Sequence, residues 1–245
     1  MDYKISVVIR VYNEEKHIQE VLESLKNQTY KKFETIILDS ESTDRTIEIA
    51  KNYDVIIKKI KKSDFNYSYA SNKCVEYATG DIVCFLSGHS VPLKSTYLRE
   101  INDIFQNSKV GACYGDVIAL PDGSFTEKLF NGLGHLKNKL RVKSGIEFET
   151  EIHPGIFSCS NASARRHLLL KHPFAEELGK GGEDIEVAHR IIGEGFVIAF
   201  VPDLLTKHSH GSGLFKFIKE YKAWGVMWDE VQNYINKDNY ESNKK

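Results

Sequence analysis

The run Ile5-Ser-Val-Val-Ile-Arg-Val11 is mostly β-branched and lacks the polar alternation of a half-exposed strand. Such a run forms a strand covered on both faces, which in practice means a parallel sheet between helices. Similar runs recur at residues 33–38, 55–57 and 81–86. Between them, Ile18, Val21, Leu22 and Leu25 fall at helical spacing, and Ile47, Ile49 and Ala50 follow Thr43 or Asp44 as a helix cap. A third helix is predicted over residues 69–78, closed by Gly80. Strand and helix at this rhythm make right-handed βαβ units. The chain is therefore read as α/β: one Rossmann-like domain over 1–245, with a mainly parallel central sheet and helices on both faces.

Further on, a helix is predicted over 93–105 and a strand over 110–120. The pattern weakens over 121–150, which is polar, punctuated by glycine and basic (Lys128, Lys137, Lys139, Arg141, Lys143); helix fragments and a mobile loop are expected there. Order returns at 155–161, followed by a helix over 165–170. Gly179-Lys-Gly-Gly182 leads into Glu183-Asp184, which opens a helix over 185–192. A strand over 196–201 is ended by Pro202, residues 206–213 form a loop, and 214–234 form an aromatic-rich helix. The polar residues 236–245 read as a frayed tail.

Composition narrows the function classes. The 33 basic and 34 acidic residues nearly cancel, so no nucleic-acid partner is expected. Cys74, Cys84, Cys113 and Cys159 are far apart and include no C-x-x-C pair, which fits reduced core thiols. No run approaches the roughly 18 apolar residues of a membrane span, and the first residues enter a strand without a signal-peptide pattern. A cytoplasmic location is expected.

Ligands of an open α/β sheet bind beyond the carboxyl ends of the strands. Four loops fall there: residues 10–14, 39–44, 87–90 and 208–210. G-x-G-x-x-G and G-x-x-x-x-G-K-[ST] are both missing, which excludes the usual dinucleotide and P-loop sites. Tyr12 can stack on a flat base, and Asp39 can accept from a pyrimidine N–H or a ribose hydroxyl; each is equally a packing residue or a turn former. His89, beside Gly88 in Ser87-Gly88-His89, is a metal or phosphate contact, or merely part of a capped turn. Glu183-Asp184 is a candidate general base, or simply a helix-start charge pair. Gly179, Gly181 and Gly182 would let that loop close over a substrate. His208 and His210, two apart, share a face if extended.

Three stretches, Ser-Val-Val-Ile-Arg-Val-Tyr-Asn-Glu-Glu, Ile-Leu-Asp-Ser-Glu-Ser-Thr-Asp-Arg-Thr and Gly-Gly-Glu-Asp-Ile-Glu-Val-Ala-His-Arg, occur in an order and spacing that closely resemble glycosyltransferase family 2. Phe-Leu-Ser-Gly-His-Ser-Val-Pro and Lys-His-Ser-His-Gly are similar to its bacterial rhamnosyltransferase-like branch. The resemblance runs from about Ile5 to Gly213. It implies the GT-A fold and inverting transfer of a sugar, rhamnose by the same resemblance, from a UDP- or dTDP-linked donor to a hydroxyl. The acceptor would be a glycan or lipid-linked molecule in surface polysaccharide or glycoconjugate synthesis.

It divides the chain into a nucleotide-sugar-binding half (1–118), an acceptor and catalytic half (119–212), and a C-terminal amphipathic helix (213–235). By the same resemblance Arg10, Tyr12, Glu14, Asp39, Asn72, Ser87, Gly88 and Asn161 bind the nucleotide-sugar. Asp184 is the catalytic base with Glu183 beside it, and His208 or His210 completes a metal shell.

One departure stands out. Most family members carry Asp-x-Asp where this chain has Ser87-Gly88-His89. His89, with His208 or His210, would then hold a divalent ion weakly, Mn²⁺ in preference to Mg²⁺ because imidazole suits transition metals. The missing carboxylates also suit a catalytically degenerate nucleotide-sugar-binding subunit of an assembly complex, which the retained Glu183-Asp184 argues against. A nucleotidyltransferase would need a basic Gly-rich loop after the first strand, and Arg-Val-Tyr-Asn-Glu-Glu is not one. Over 214–234, Phe215, Phe217, Ile218, Tyr221, Trp224 and Trp228 interleave with Lys216, Lys219 and Lys222. That stripe suits peripheral contact with the inner face of a membrane, packing on its own domain, or a homodimer.

Overall fold

The computed structural model describes residues 2–179, 181–211 and 213–242, without the side chains at 214, 217, 218, 220, 221 and 238–242. The stripe members Phe217, Ile218 and Tyr221, and tail residues 243–245, lie outside the described residues.

The four apolar runs become parallel strands β1 (Ile5–Val11), β2 (Phe33–Asp39), β3 (Ile56–Lys59) and β4 (Ile82–Ser87), in spatial order β3-β2-β1-β4. Helices α1 (Ile18–Lys26), α2 (Thr46–Ala50) and α3 (Tyr67–Tyr77) connect them. Successive β1 residues point to opposite faces: Val7 and Ile9 join one buried cluster with Val21, Leu22 and Leu25 of α1, and Val8 joins another with Ala70 and Cys74 of α3. Both faces are covered, as the sequence requires. The four cysteines are free and buried.

The second half adds β5 (Val91–Pro92), α4 (Tyr97–Ile104), β6 (Val110–Ile118), α5 (Phe125–Arg141), β7 (Glu147–Glu149), β8 (Asn161–Arg165), α6 (Arg166–Lys171), α7 (Glu183–Gly193), β9 (Val197–Lys207) and α8 (Leu214–Ser242). The sheet here is mixed. β8 lies antiparallel between β4 and β6, because the chain reaches it from the rim, where Asn161 pairs with Leu86. β9 runs parallel to β6, while β5 and β7 both pair antiparallel to β9.

Four local expectations are corrected. Residues 125–141 form one continuous helix, not fragments, started by a capping box in which the Ser124 hydroxyl accepts from Glu127 N and Glu127 accepts from Ser124 N. β9 runs through Pro202, whose missing N–H falls at an irregularity between the Gly115–Val201 and Val117–Thr206 pairs. Gly80 does not cap α3, which ends at Tyr77 with Ala78 as its C-cap; a Cβ at Gly80 would stand 2.7 Å from the Lys4 carbonyl. Helix α8 continues to Ser242, with no glycine or proline after Ile235 to break it and with Val231 and Ile235 buried against the core.

Candidate active site

The rim loops expected to share a pocket do meet. Asn13, at φ 54°, donates its N–H to Ser42 Oγ (3.0 Å) and accepts from Thr43 N (2.8 Å). Glu14 N donates to Thr46 Oγ1 (2.7 Å) and Glu15 N to Asp44 (3.0 Å), so the first and second loops are stitched together. The third and fourth loops are joined by β5, whose Val91 and Pro92 pair with Lys207 and Thr206 of β9.

That pairing carries His208 to the end of β4. The rings of His89 and His208 stack with centroids 4.6 Å apart, and His210 meets both edge-on, at 5.3 and 4.7 Å. His208 Nε2 lies 3.1 Å from His210 Nε2, and its Nδ1 lies 3.0 and 3.3 Å from the hydroxyls of Ser90 and Ser87. His89 Nδ1 is 2.8 Å from Glu14 Oε1. His89 Nε2 is buried and finds no hydrogen-bond partner among the described residues. One nitrogen from each ring lies within 4.8 Å of the others. Burial, and then the neighbouring His89 and His210, hold the His208 pKa well below the usual histidine value. Imidazole nitrogens converging around an unpartnered one fit the requirements of a divalent metal.

Asp39 is buried at the end of β2; Oδ1 accepts from Ser42 N (2.9 Å), while Oδ2 has no partner among the described residues. An acceptor left over in this way suits a ligand N–H or O–H. Tyr12 is exposed beside it, with Lys62 Nζ 4.2 Å from the ring centroid and donating to Tyr12 Oη (2.6 Å). Lys62 was legible only as part of a basic stretch, since nothing in its sequence neighbourhood points to Tyr12.

The Glu183-Asp184 pair opens α7 after two left-handed glycines. A Cβ at Gly182 (φ 87°) would stand 2.4 Å from Val231 Cγ2 of α8, and one at Gly181 2.9 Å from Met227 Sδ. Helix α8 packs down on these glycines. Burial, then the adjacent Glu183 charge, push the Asp184 pKa up from 3.8 to about 8, against backbone N–H groups of Ile185 and Cys159 and the Arg10 charge, which act the other way. Burial also raises Glu183, and Arg10 opposes it.

Arg10 donates to Ser71 Oγ (2.9 Å) and the Tyr67 carbonyl (3.3 Å), and its charge acts on the carboxylate pair. Asn72 is spent on Phe174, donating to its carbonyl (3.0 Å) and accepting from its N–H (2.8 Å). Asn161 is buried, accepting from Tyr97 Oη and donating to the carbonyls of Asp116 and Leu204, so it braces strands. Glu14 orients His89, Ser87 supports His208, and Gly88 leaves room for Glu14, since a Cβ there would stand 2.5 Å from Glu14 Cγ. Glu127 was missed: beyond capping α5, it accepts from His210 N (2.8 Å). The S-x-x-E pattern at 124–127 was the available signal.

This sheet and rim define a GT-A-type transferase fold. A solved mannosyltransferase from Pyrobaculum calidifontis, in complex with GDP-Man and Mn²⁺, superposes with a TM-score of 0.65 at 23% identity, over 85% of this chain and 57% of that one. A family model for glycosyl transferase family 2 matches residues 6–171, and the chain belongs to that family. It is 25% identical over 239 residues to a Methanococcus voltae dolichyl N-acetyl-alpha-D-glucosaminyl phosphate 3-beta-D-2,3-diacetamido-2,3-dideoxy-beta-D-glucuronosyltransferase, covering 91% of this chain and 72% of the relative. It is also 25% identical over 227 residues to the O-antigen chain rhamnosyltransferase RfbN of Salmonella typhimurium, with the same coverage. The chain is thus a glycosyltransferase enzyme whose relatives act in polysaccharide and glycoconjugate synthesis, and it spans only part of their length. No helix of the described residues is long and apolar enough to cross a membrane.

Proposed function

We propose that this chain is an inverting transferase that moves a sugar from a nucleoside-diphosphate donor to a hydroxyl of a glycan or lipid-linked acceptor at the cytoplasmic face of the membrane. The observation that carries the reading is the meeting of His89, His208 and His210 at the end of β4, on the same rim as Asp39, whose Oδ2 has no partner among the described residues. Asp39 and Tyr12 suit a pyrimidine nucleoside, which favours a UDP- or dTDP-linked donor. Rhamnose as the sugar is supported by the relative named an O-antigen chain rhamnosyltransferase, and a lipid-linked acceptor by the relative whose name contains a dolichyl phosphate.

In this mechanism the Asp184 carboxylate takes the proton from the acceptor hydroxyl as its oxygen bonds to the anomeric carbon. The bond from that carbon to the diphosphate oxygen breaks, both electrons leave with the nucleoside diphosphate, and configuration inverts. Arg10 favours the ionised form of Asp184. His89, His208 and His210 would hold a divalent ion, Mn²⁺ before Mg²⁺, which when bound neutralises charge developing on the leaving diphosphate.

General-base removal typically contributes 10²–10⁴-fold in rate. Asp184→Asn is expected to bind donor within a few fold of wild type and to lose about 10²–10⁴-fold in turnover; near-wild-type turnover would refute the assignment. The missing Asp-x-Asp favours a second reading, a binding-only subunit, and slow hydrolysis of the donor by the wild-type chain separates the two. Thermal shifts with UDP-, dTDP- and GDP-linked sugars, each with and without Mn²⁺, identify the donor.

A further inference from the structure

We propose that the outer face of α5 docks on an anionic lipid bilayer. The helix is turned inside out relative to an ordinary surface helix. Its polar side faces the protein: Glu127 is buried under the cap, and His135 and Asn138 both reach Asp116 at the end of β6, at 2.9 and 2.8 Å. Its apolar side faces out. Phe125, Leu129, Leu133, Leu136 and Leu140 lie on one stripe, with Phe125 80% and Leu140 66% exposed. Leucines at this spacing on a soluble domain want a cover.

The charges say which one. From residue 128 to residue 146 the chain carries Lys128, Lys137, Lys139, Arg141 and Lys143 and no acidic residue, in a protein of net charge −1. At 100° per residue, Lys128 and Lys139 border the stripe on one side, and Lys137 and Arg141 on the other. Lys139 and Arg141 pair with Asp203 and Glu147, while Lys128 and Lys137 have no carboxylate partner among the described residues. An apolar strip between two cationic margins matches acyl chains beneath anionic headgroups. A second copy of this chain matches poorly, since a two-fold pairing through the stripe would set like charges against each other. Through Glu127 the same helix holds the backbone of His210, so docking would bring the rim to the lipid surface. Membrane binding is read separately from turnover, so failure of the transferase reading would leave it standing.

The test is flotation of the full chain with vesicles of phosphatidylcholine alone or mixed with phosphatidylglycerol. The wild-type chain is expected to float with the mixed vesicles only and to be released by salt. Leu133→Glu with Leu136→Glu should abolish flotation while keeping the wild-type circular dichroism and donor hydrolysis. Lys128→Gln with Lys137→Gln, which leaves the apolar stripe intact, should lower partitioning by about fivefold per cation removed. The proposal is overturned if the wild-type chain stays in solution with both vesicles, or if the leucine variant floats like wild type. It is equally overturned if sedimentation shows a dimer that the leucine variant dissociates, with no vesicle binding.

Discussion

Glu14 Oε1 lies 2.8 Å from His89 Nδ1, across a glycine whose Cβ would strike the Glu14 side chain. A carboxylate on one imidazole nitrogen fixes the tautomer and turns the other nitrogen, here the unpartnered Nε2, toward a ligand. Loss of such a partner typically costs 10–100-fold in metal affinity. Titration calorimetry with Mn²⁺ should show Glu14→Ala weakened by about that factor, while its melting temperature without metal stays close to wild type. Unchanged affinity would mean that His89 is not a ligand.

Metal removal gives a coarser test of the same corner. Turnover in excess chelator is expected to vanish and to return more fully with Mn²⁺ than with Mg²⁺, because three imidazoles suit a transition ion better than a hard one. Full turnover in chelator would assign the histidines to direct phosphate contact.

The Asp184 carboxyl leads to a pH dependence of stability. Its folded pKa is raised from 3.8 to about 8, so between those values the folded chain holds a proton that the unfolded chain releases. Stability linked to this group is therefore full below about pH 4 and is lost as pH rises toward 8. Asp184→Asn should flatten the fall in urea midpoint between pH 5 and pH 8. A variant that keeps the wild-type slope would show that the carboxyl is ionised in the folded protein throughout.

The packing of α8 on the catalytic turn is tested by Gly182→Ala. The left-handed backbone and the clash with Val231 Cγ2 each act against a side chain, for a cost on the order of 1–3 kcal/mol. Gly193→Ala, with nothing within 4 Å of the new Cβ, should leave stability level or slightly raised. Equal melting temperatures for the two variants would mean that α8 does not clamp the turn.

Much of the fold was legible because it rests on local periodicity. The runs at β1, β2 and β4 are apolar enough to require cover on both faces, and the spacing in α1 supplies one cover. What escaped was decided by neighbours distant in sequence. Residues 121–150 looked irregular because glycines and basic residues punctuate the segment, although its leucines at 129, 133, 136 and 140 keep helical spacing. Pro202 looked like a strand end because the irregularity that tolerates it, extra β9 residues between two pairs with β6, shows only in the pairing of the two strands. Asn72 and Asn161 are tied to backbone groups of segments distant in sequence, contacts that no local pattern announces.

The sequence by itself determined the βαβ order, the four rim loops and the carboxylate pair opening α7, since each is written in contiguous residues. It could only name the three histidines as possibilities. Their meeting was decided by tertiary structure, through the two-residue strand β5, which registers Val91 and Pro92 against Lys207 and Thr206. Too short to show any period of its own, β5 exists only because β9 offers it an edge, and that pairing stacks His208 on His89.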